Sequence, residues 1–286
     1  MAGQIYHYTD IAALQGVIEN KEVWLTAHDY LNDDREFLEG FDFLEQSLVS
    51  RMNNADKQTE KIVNMLISKL KQVVIFSASF SKEPDLLSQW RSYCPEEGGV
   101  SIGFDKEMLQ KEVCGYKGSN KNNRFLQECC YDPKHSNWVA DVISQALTEH
   151  FSKGSSSIPE KTLLNNNFLE MLTFLARSKD KSFAEEKEVR LFTYCHEEFE
   201  SWSTEYNPRS PSINIISPEK VSFRPKKNFL LPFIKVPIPI DAIKEIYVGP
   251  STYQRECTKS LKMYLYSKGL QNSVSIKESA TPYRTI

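Results

Sequence analysis

The chain lacks the motifs that mark the commoner nucleotide and hydrolase scaffolds. It contains no Gly-x-x-x-x-Gly-Lys-Ser/Thr phosphate loop, no Gly-x-Gly-x-x-Gly, no His-Glu-x-x-His and no Gly-x-Ser-x-Gly. No apolar run approaches the roughly 20 residues of a membrane-spanning helix, and the polar start carries no secretory leader. A cytoplasmic protein without membrane association is therefore expected. Cysteine gives no framework either. The six residues (Cys94, Cys114, Cys129, Cys130, Cys195, Cys257) include no Cys-x-x-Cys, and Cys195-His196 is one isolated pair. Reduced thiols are expected, without zinc, which needs four ligands. Charge of one sign is also missing. A net charge of -3 exerts no global pull on nucleic acid, although Arg224, Lys226 and Lys227 leave a local basic patch open.

What is present is ample for a core. The 286 residues are 40% hydrophobic, and strand and helix periods alternate along them. Ile5 to Thr9 reads as a strand that runs into an amphipathic helix with Ile11, Leu14, Val17 and Ile18 as its apolar stripe. Thr9 or Asp10 can cap that helix. Further strands are expected at 22–26, 73–80, 100–104, 187–194, 221–223, 233–236, 245–248 and 274–276. The run from Val73 is continuously apolar at first, which predicts a central strand. Helices are expected at 57–71, 138–151, 161–176 and 254–267, with one after Tyr30-Leu31-Asn32-Asp33 and a short one capped by Asp85. Ser152 to Ser157 reads as an exposed linker. The expectation is a single α+β domain over 1–286 with a helical insertion at about 136–180.

Five stretches stand out as candidates. His7 sits near a strand end, where a fixed imidazole can face a pocket; a partly buried strand histidine is the plainer alternative. In a strand, Glu186, Glu188 and Arg190 would share one face, at about 7 Å spacing. Such a pair of carboxylates can stabilise positive charge developing on a ribose and orient a nucleophile, with Arg190 holding one of them ionised. A solvated strand edge with an ion pair explains the same residues. Trp90 and Tyr93 lie three apart on a helix face, so one can stack on a flat ring, or both can be core. Asn32-Asp33 suits a turn and cap. The tail around Tyr283-Arg284 can dock back on the sheet.

Taken in order, these segments resemble a bacterial family described as domain of unknown function 2971. The matching residues are Tyr6-His7-Tyr8-Thr9, Leu31-Asn32-Asp33, Phe80-Ser81, Leu87 to Tyr93, Gly99 to Asp105, Glu186 to Leu191, Val248-Gly249-Pro250 and Tyr283-Arg284. Val189 departs from the aromatic residue usual after the second glutamate. A second resemblance is to the His-Tyr-Glu arrangement of ADP-ribosyltransferases. It implies split, mixed or antiparallel twisted sheets with surrounding helices. It implies catalytic roles for His7, Tyr93, Glu186 and Glu188, and NAD contacts from His7, Tyr8, Thr9, Ser81, Ser88, Trp90, Tyr93 and Arg190. Trp90 is the alternative to Tyr93 as the stacking ring.

The function this resemblance implies is an intracellular ADP-ribosyltransferase-like protein. It would take NAD as substrate, need no metal, and pass ADP-ribose to an unknown protein or nucleic-acid acceptor. Relatives of that fold serve as toxins and in phage defence. Two other classes stay open. One is a non-catalytic nucleotide-sensing or interaction module. The other is a metal-dependent nucleic-acid-cleaving effector using Glu186, Glu188 and Asp105.

Overall fold

The computed structural model describes residues 3–30, 35–52, 56–95, 98–114, 124–132, 134–151, 160–196 and 221–281. The Leu31-Asn32-Asp33 turn, the serine linker, most of the stretch from His196 to Arg209, and Tyr283-Arg284 lie outside them.

The chain opens with β1 (Gln4–Thr9), α1 (Ile11–Asn20) and β2 (Glu22–Ala27). Asp10 is the cap of α1, its carboxylate accepting from the Ala13 N–H at 2.6 Å. Helices α2 (Arg35–Met52) and α3 (Lys57–Leu70) precede β3 (Val73–Ser81), then α4 (Leu87–Tyr93), β4 (Val100–Asp105) and α5 (Lys106–Glu112). Next come β5 (Phe125–Glu128), α6 (His135–Phe151), α7 (Glu160–Arg177) and β6 (Glu188–His196). The chain ends with β7 (Val221–Lys226), β8 (Phe229–Pro237), β9 (Ile243–Val248), α8 (Gln254–Ser267) and β10 (Ser275–Glu278).

The described strands form one open, mixed sheet in the order β10-β9-β4-β1-β3-β2-β8-β7, with β6 and β5 branching from β3. This agrees with the α+β expectation. Strand β3 is central, as its apolar run predicts. Its nine residues all pair with β6, from Val73↔His196 to Ser81↔Glu188. A strand has only two edges, so β1 and β2 must share the other one. β1 meets it at its last residue, Tyr6↔Ser81, and β2 near its middle, Thr26↔Ser77 and Ala27↔Phe76. Between those points β1 and β2 part, and among the described residues Ala78, Ser79 and Phe80 have no strand partner on that edge.

Each face of the sheet carries a core. On one, α1, α5 and α8 bury Leu14, Val17, Leu109, Leu261 and Leu265 against Ile5, Phe76, Phe80 and Phe104. On the other, α2, α3, α6 and α7 pack on Ile75, Phe192 and Tyr194. The expected insertion helices thus share their core with the two helices that precede β3. Each fully buried Leu or Phe contributes about 1.5–3 kcal/mol of transfer free energy. A small third cluster, Tyr6, Tyr8 and Trp90, seats α4 on β1. Glycine is required there by close approach. A Cβ at Gly249 would stand 3.0 Å from both the Trp90 ring and the Gly99 carbonyl.

Two local expectations are corrected. Asp85 does not cap α4; Leu86 holds that position without a side-chain cap, and the Asp85 carboxylate is used elsewhere. Glu186 is not in the strand. It ends a 3-10 turn (Lys181–Glu186), Lys187 follows with φ 45°, and β6 begins at Glu188. The short elements α5 and β5 carried too few periodic residues to be expected.

Candidate functional site in the gap of the sheet

The gap between β1 and β2 holds a cavity of about 570 Å³. That size is typical of small-molecule sites. Alternation along β2 sends Val23, Leu25 and Ala27 into the core and leaves Glu22, Trp24 and Thr26 on the opposite face. Ser77 of β3, the register partner of Thr26, shares that second face, as does Ser79 two residues on. Helix α1 crosses the gap from the core side. It lines the cavity with Ala12, Ala13 and Gly16, small residues that leave the space open. Gln89 and Tyr93 of α4 close it on one flank, and Trp24 and Arg224 on the other.

His7 lines this cavity. Its Nδ1 lies 2.9 Å from the Ser79 carbonyl oxygen, on the edge that no strand covers. A carbonyl only accepts, so Nδ1 carries the hydrogen and Nε2 is left as an acceptor. Burial holds the imidazole pKa below its usual 6.5, with the Ser79 bond opposing. The ring is therefore neutral at pH 7. Ser77 adds a buried Oγ at the cavity wall with no hydrogen-bond partner among the described residues. An unmet buried hydroxyl costs free energy that a bound polar group would recover.

Tyr93, which lines the cavity, is in electrostatic reach of a buried ionic cluster. Lys179 Nζ lies 2.5 Å from Glu186 Oε2 and 2.6 Å from Glu188 Oε2. Arg190 donates from Nε to Glu188 Oε1 at 2.7 Å and from Nη2 to Oε2 at 3.2 Å. Its Nη1 donates to the Ala176 and Ser178 carbonyls, tying the end of α7 to β6. Burial disfavours the ionised Glu188, but Arg190 and Lys179 outweigh it and hold that carboxyl far below the usual range. Although Tyr93 keeps 40% of its surface exposed, partial desolvation is the first cause that pushes its phenol up to about 12, with Glu188 and Glu186 adding and Lys179 and Arg190 opposing. All four charges therefore act on a ring that lines the cavity.

Of the residues singled out in the sequence, His7, Tyr8, Thr9 and Tyr93 line one cavity. Glu186, Glu188 and Arg190 converge, but on one another, behind that lining. Ser81 donates to the Glu186 carbonyl at 2.7 Å and pins the 3-10 turn. Ser88 has a buried Oγ without a partner among the described residues and does not line the cavity. Trp90 is buried edge-on against Tyr8, ring centres 4.6 Å apart, and donates to Asp85. The Tyr8 hydroxyl donates to the Glu83 carbonyl and accepts from the Leu86 N–H, so it fixes the start of α4. Trp24, Ser77, Gln89 and Arg224 were not among the expected site residues. Arg224 stood out only as part of a local basic patch, Gln89 only within the Leu87–Tyr93 segment, and Trp24 only as an aromatic on the polar side of an alternating strand.

The six cysteines are free thiols, as expected. No helix of the described residues is long and apolar enough to cross a membrane. Residues 89–191, from α4 to β6, match the model of a family described as Protein of unknown function (DUF2971). That stretch is a little over a third of the chain and includes Tyr93, Lys179 and the Glu186–Arg190 segment. No curated protein and no solved structure matches the chain.

Proposed function

We propose that the chain binds NAD in the gap of its sheet and transfers ADP-ribose from it to a macromolecular acceptor. The observation that carries this reading is the meeting of His7 and Tyr93, distant in sequence, at one cavity, with Tyr93 in electrostatic reach of the Glu186 and Glu188 carboxylates. The groups present suit a nucleotide. His7 Nε2 can accept from a ribose hydroxyl, Ser77 Oγ offers an unmet polar contact, and the Tyr93 and Trp24 rings offer faces to flat heterocycles. In the reaction, the bond from ribose to nicotinamide breaks and nicotinamide leaves as a neutral molecule. The acceptor loses a proton as its bond to ribose forms. A carboxylate brought near the ribose favours the positive charge that builds there.

A second reading, a nucleotide-sensing module without turnover, draws on a specific observation. Glu188 is engaged by both Lys179 and Arg190 and does not line the cavity. Metal-dependent nucleic-acid cleavage is less favoured. Lys179 already sits between Glu186 and Glu188, and Asp105 is occupied as the cap of α5.

Calorimetric titration with NAD and assay of nicotinamide release separate the readings. For the transferase, His7→Ala and Tyr93→Ala weaken binding, while Glu188→Gln keeps binding and loses release. For the sensor, the native protein binds NAD and releases nothing with any acceptor fraction. A native protein that does not bind NAD overturns both.

A further inference from the structure

From the hairpin beside the cavity, we infer that the acceptor is a single-stranded nucleic acid, held on one face of β2, β7 and β8. The acceptor role rests on the transferase reading; the binding of the strand does not.

The 20 residues from Val221 to Ile240 contain Arg224, Lys226, Lys227 and Lys235 and no acidic residue, in a chain whose net charge is -3. Register gathers most of these cations on one face. Ser222 pairs with Phe233, Arg224 with Leu231 and Lys226 with Phe229, while Trp24 pairs with Lys235. That face therefore carries Arg224, Lys226 and Lys235 interleaved with Trp24, Phe229 and Phe233. Trp24 stacks on Phe233 at 4.3 Å and 29° between planes, and the Arg224 guanidinium lies 5.3 Å from the Trp24 ring centre. Tyr30 tilts against Phe229 at 5.5 Å. Trp24, Tyr30 and Phe229 are all exposed, and exposed aromatics grouped among polar residues mark an interaction surface. Glu22 pairs with Lys235, but among the described residues no ion pair engages Arg224, Lys226 or Lys227.

Cations alone would suit any polyanion. The interleaved rings favour unstacked bases, whose faces stack on aromatics while lysine and arginine meet the phosphates. A duplex hides those faces, and an acidic peptide has none. The surface also runs into the cavity, because Trp24 and Arg224 belong to both. A strand lying on it would bring a base or ribose to the mouth of the gap.

Fluorescence anisotropy with a labelled 12-nucleotide single strand, the same sequence as a duplex, and a polyglutamate peptide tests this, without NAD. The single strand is expected to bind best. Phe229→Ala should weaken it about tenfold, the loss of one stacked base. Lys226→Ala with Lys227→Ala should lower the slope of log affinity against log salt by about 0.7 per lysine. Both changes lie on the exposed hairpin, and NAD titration with the same variants should be unaltered. No binding of the single strand, equal binding of the duplex, tighter binding of the peptide, or indifference to Phe229→Ala overturns the proposal. Strand binding without nicotinamide release removes the transferase reading alone. Release without strand binding removes this platform alone.

Discussion

The imidazole of His7 hydrogen-bonds the Ser79 carbonyl, so a side chain from one strand covers backbone that a neighbouring strand would otherwise cover. This contact bridges the gap where β1 leaves β3, and it fixes the tautomer of a ring that lines the cavity. His7→Ala should therefore cost stability as well as binding. Loss of the bond to that carbonyl is expected to cost about 1–3 kcal/mol. His7→Asn, whose amide can donate, should recover part of it. Urea unfolding of the three proteins checks this; equal midpoints would mean that the contact contributes nothing.

Acid should destabilise the protein before its carboxylates titrate. His28 is buried, and its pKa is pushed down to about 3, by burial first and then by Arg190 and Lys179, with Glu188 opposing. His7 is shifted the same way. Below 6.5 the unfolded chain takes up protons that the native histidines refuse. This contribution is whole above pH 6.5 and lost as pH falls through the window toward the folded values. The slope is at most about 1.4 kcal/mol per pH unit for each histidine. Glu188 acts only below its ordinary 4.5, since its folded value is depressed. Urea unfolding between pH 4.5 and 6.5 thus isolates the histidines, and His28→Gln should flatten the dependence. An unchanged slope in that variant would rule this origin out.

Breaking the ionic cluster should be severe. Lys179→Met leaves Glu186 and half of Glu188 without their cation in a site almost closed to water. Removing one partner of a buried pair costs about 3–5 kcal/mol. Lys179→Met with Glu186→Gln should recover a substantial part, because Arg190 still pairs with Glu188. Thermal unfolding of the single and double variants measures the coupling. Additive losses would contradict the description of one shared cluster.

Asp85 should act as an anchor for the C-terminal segment. Its carboxylate accepts from Trp90 Nε1, Ser279 Oγ, the Ala280 N–H and Thr281 Oγ1. Those hydrogen bonds hold its pKa low although burial pushes the other way. Asp85→Ala should raise hydrogen exchange at 279–281 and in α4 together. Bonds to a charged group contribute about 1.5–3 kcal/mol each, and fewer than all of them will be lost independently. Exchange confined to the tail would show that α4 does not depend on this contact.

How much of this was legible in the sequence follows from how local each feature is. The β1-α1-β2 unit carries its own alternation, cap and stripe, and β3 its apolar run, so these elements could be read directly. The gap could not. It arises because β1 meets β3 through Tyr6 alone and β2 through Thr26 and Ala27, a matter of register that no local pattern encodes. Asp85 looked like a cap because capping and tertiary anchoring use the same residue type. Glu186 and Glu188 looked like neighbours on a strand face. They do converge, but through Lys179, a residue whose own segment gave no sign of it. Trp90 and Tyr93 share a helical spacing, yet Trp90 is buried under Gly249 while Tyr93 remains exposed at the cavity.

The most direct test of the central claim is proton NMR of the histidine rings during titration with NAD. The His7 Hε1 resonance, assigned by its loss in His7→Asn, should move to saturation at one equivalent per chain. The same titration of Tyr93→Ala should need at least about tenfold more ligand, the loss of roughly 1.4 kcal/mol of ring contact. A His7 resonance that stays in place while NAD is raised to millimolar concentration would contradict a nucleotide site in the gap of the sheet.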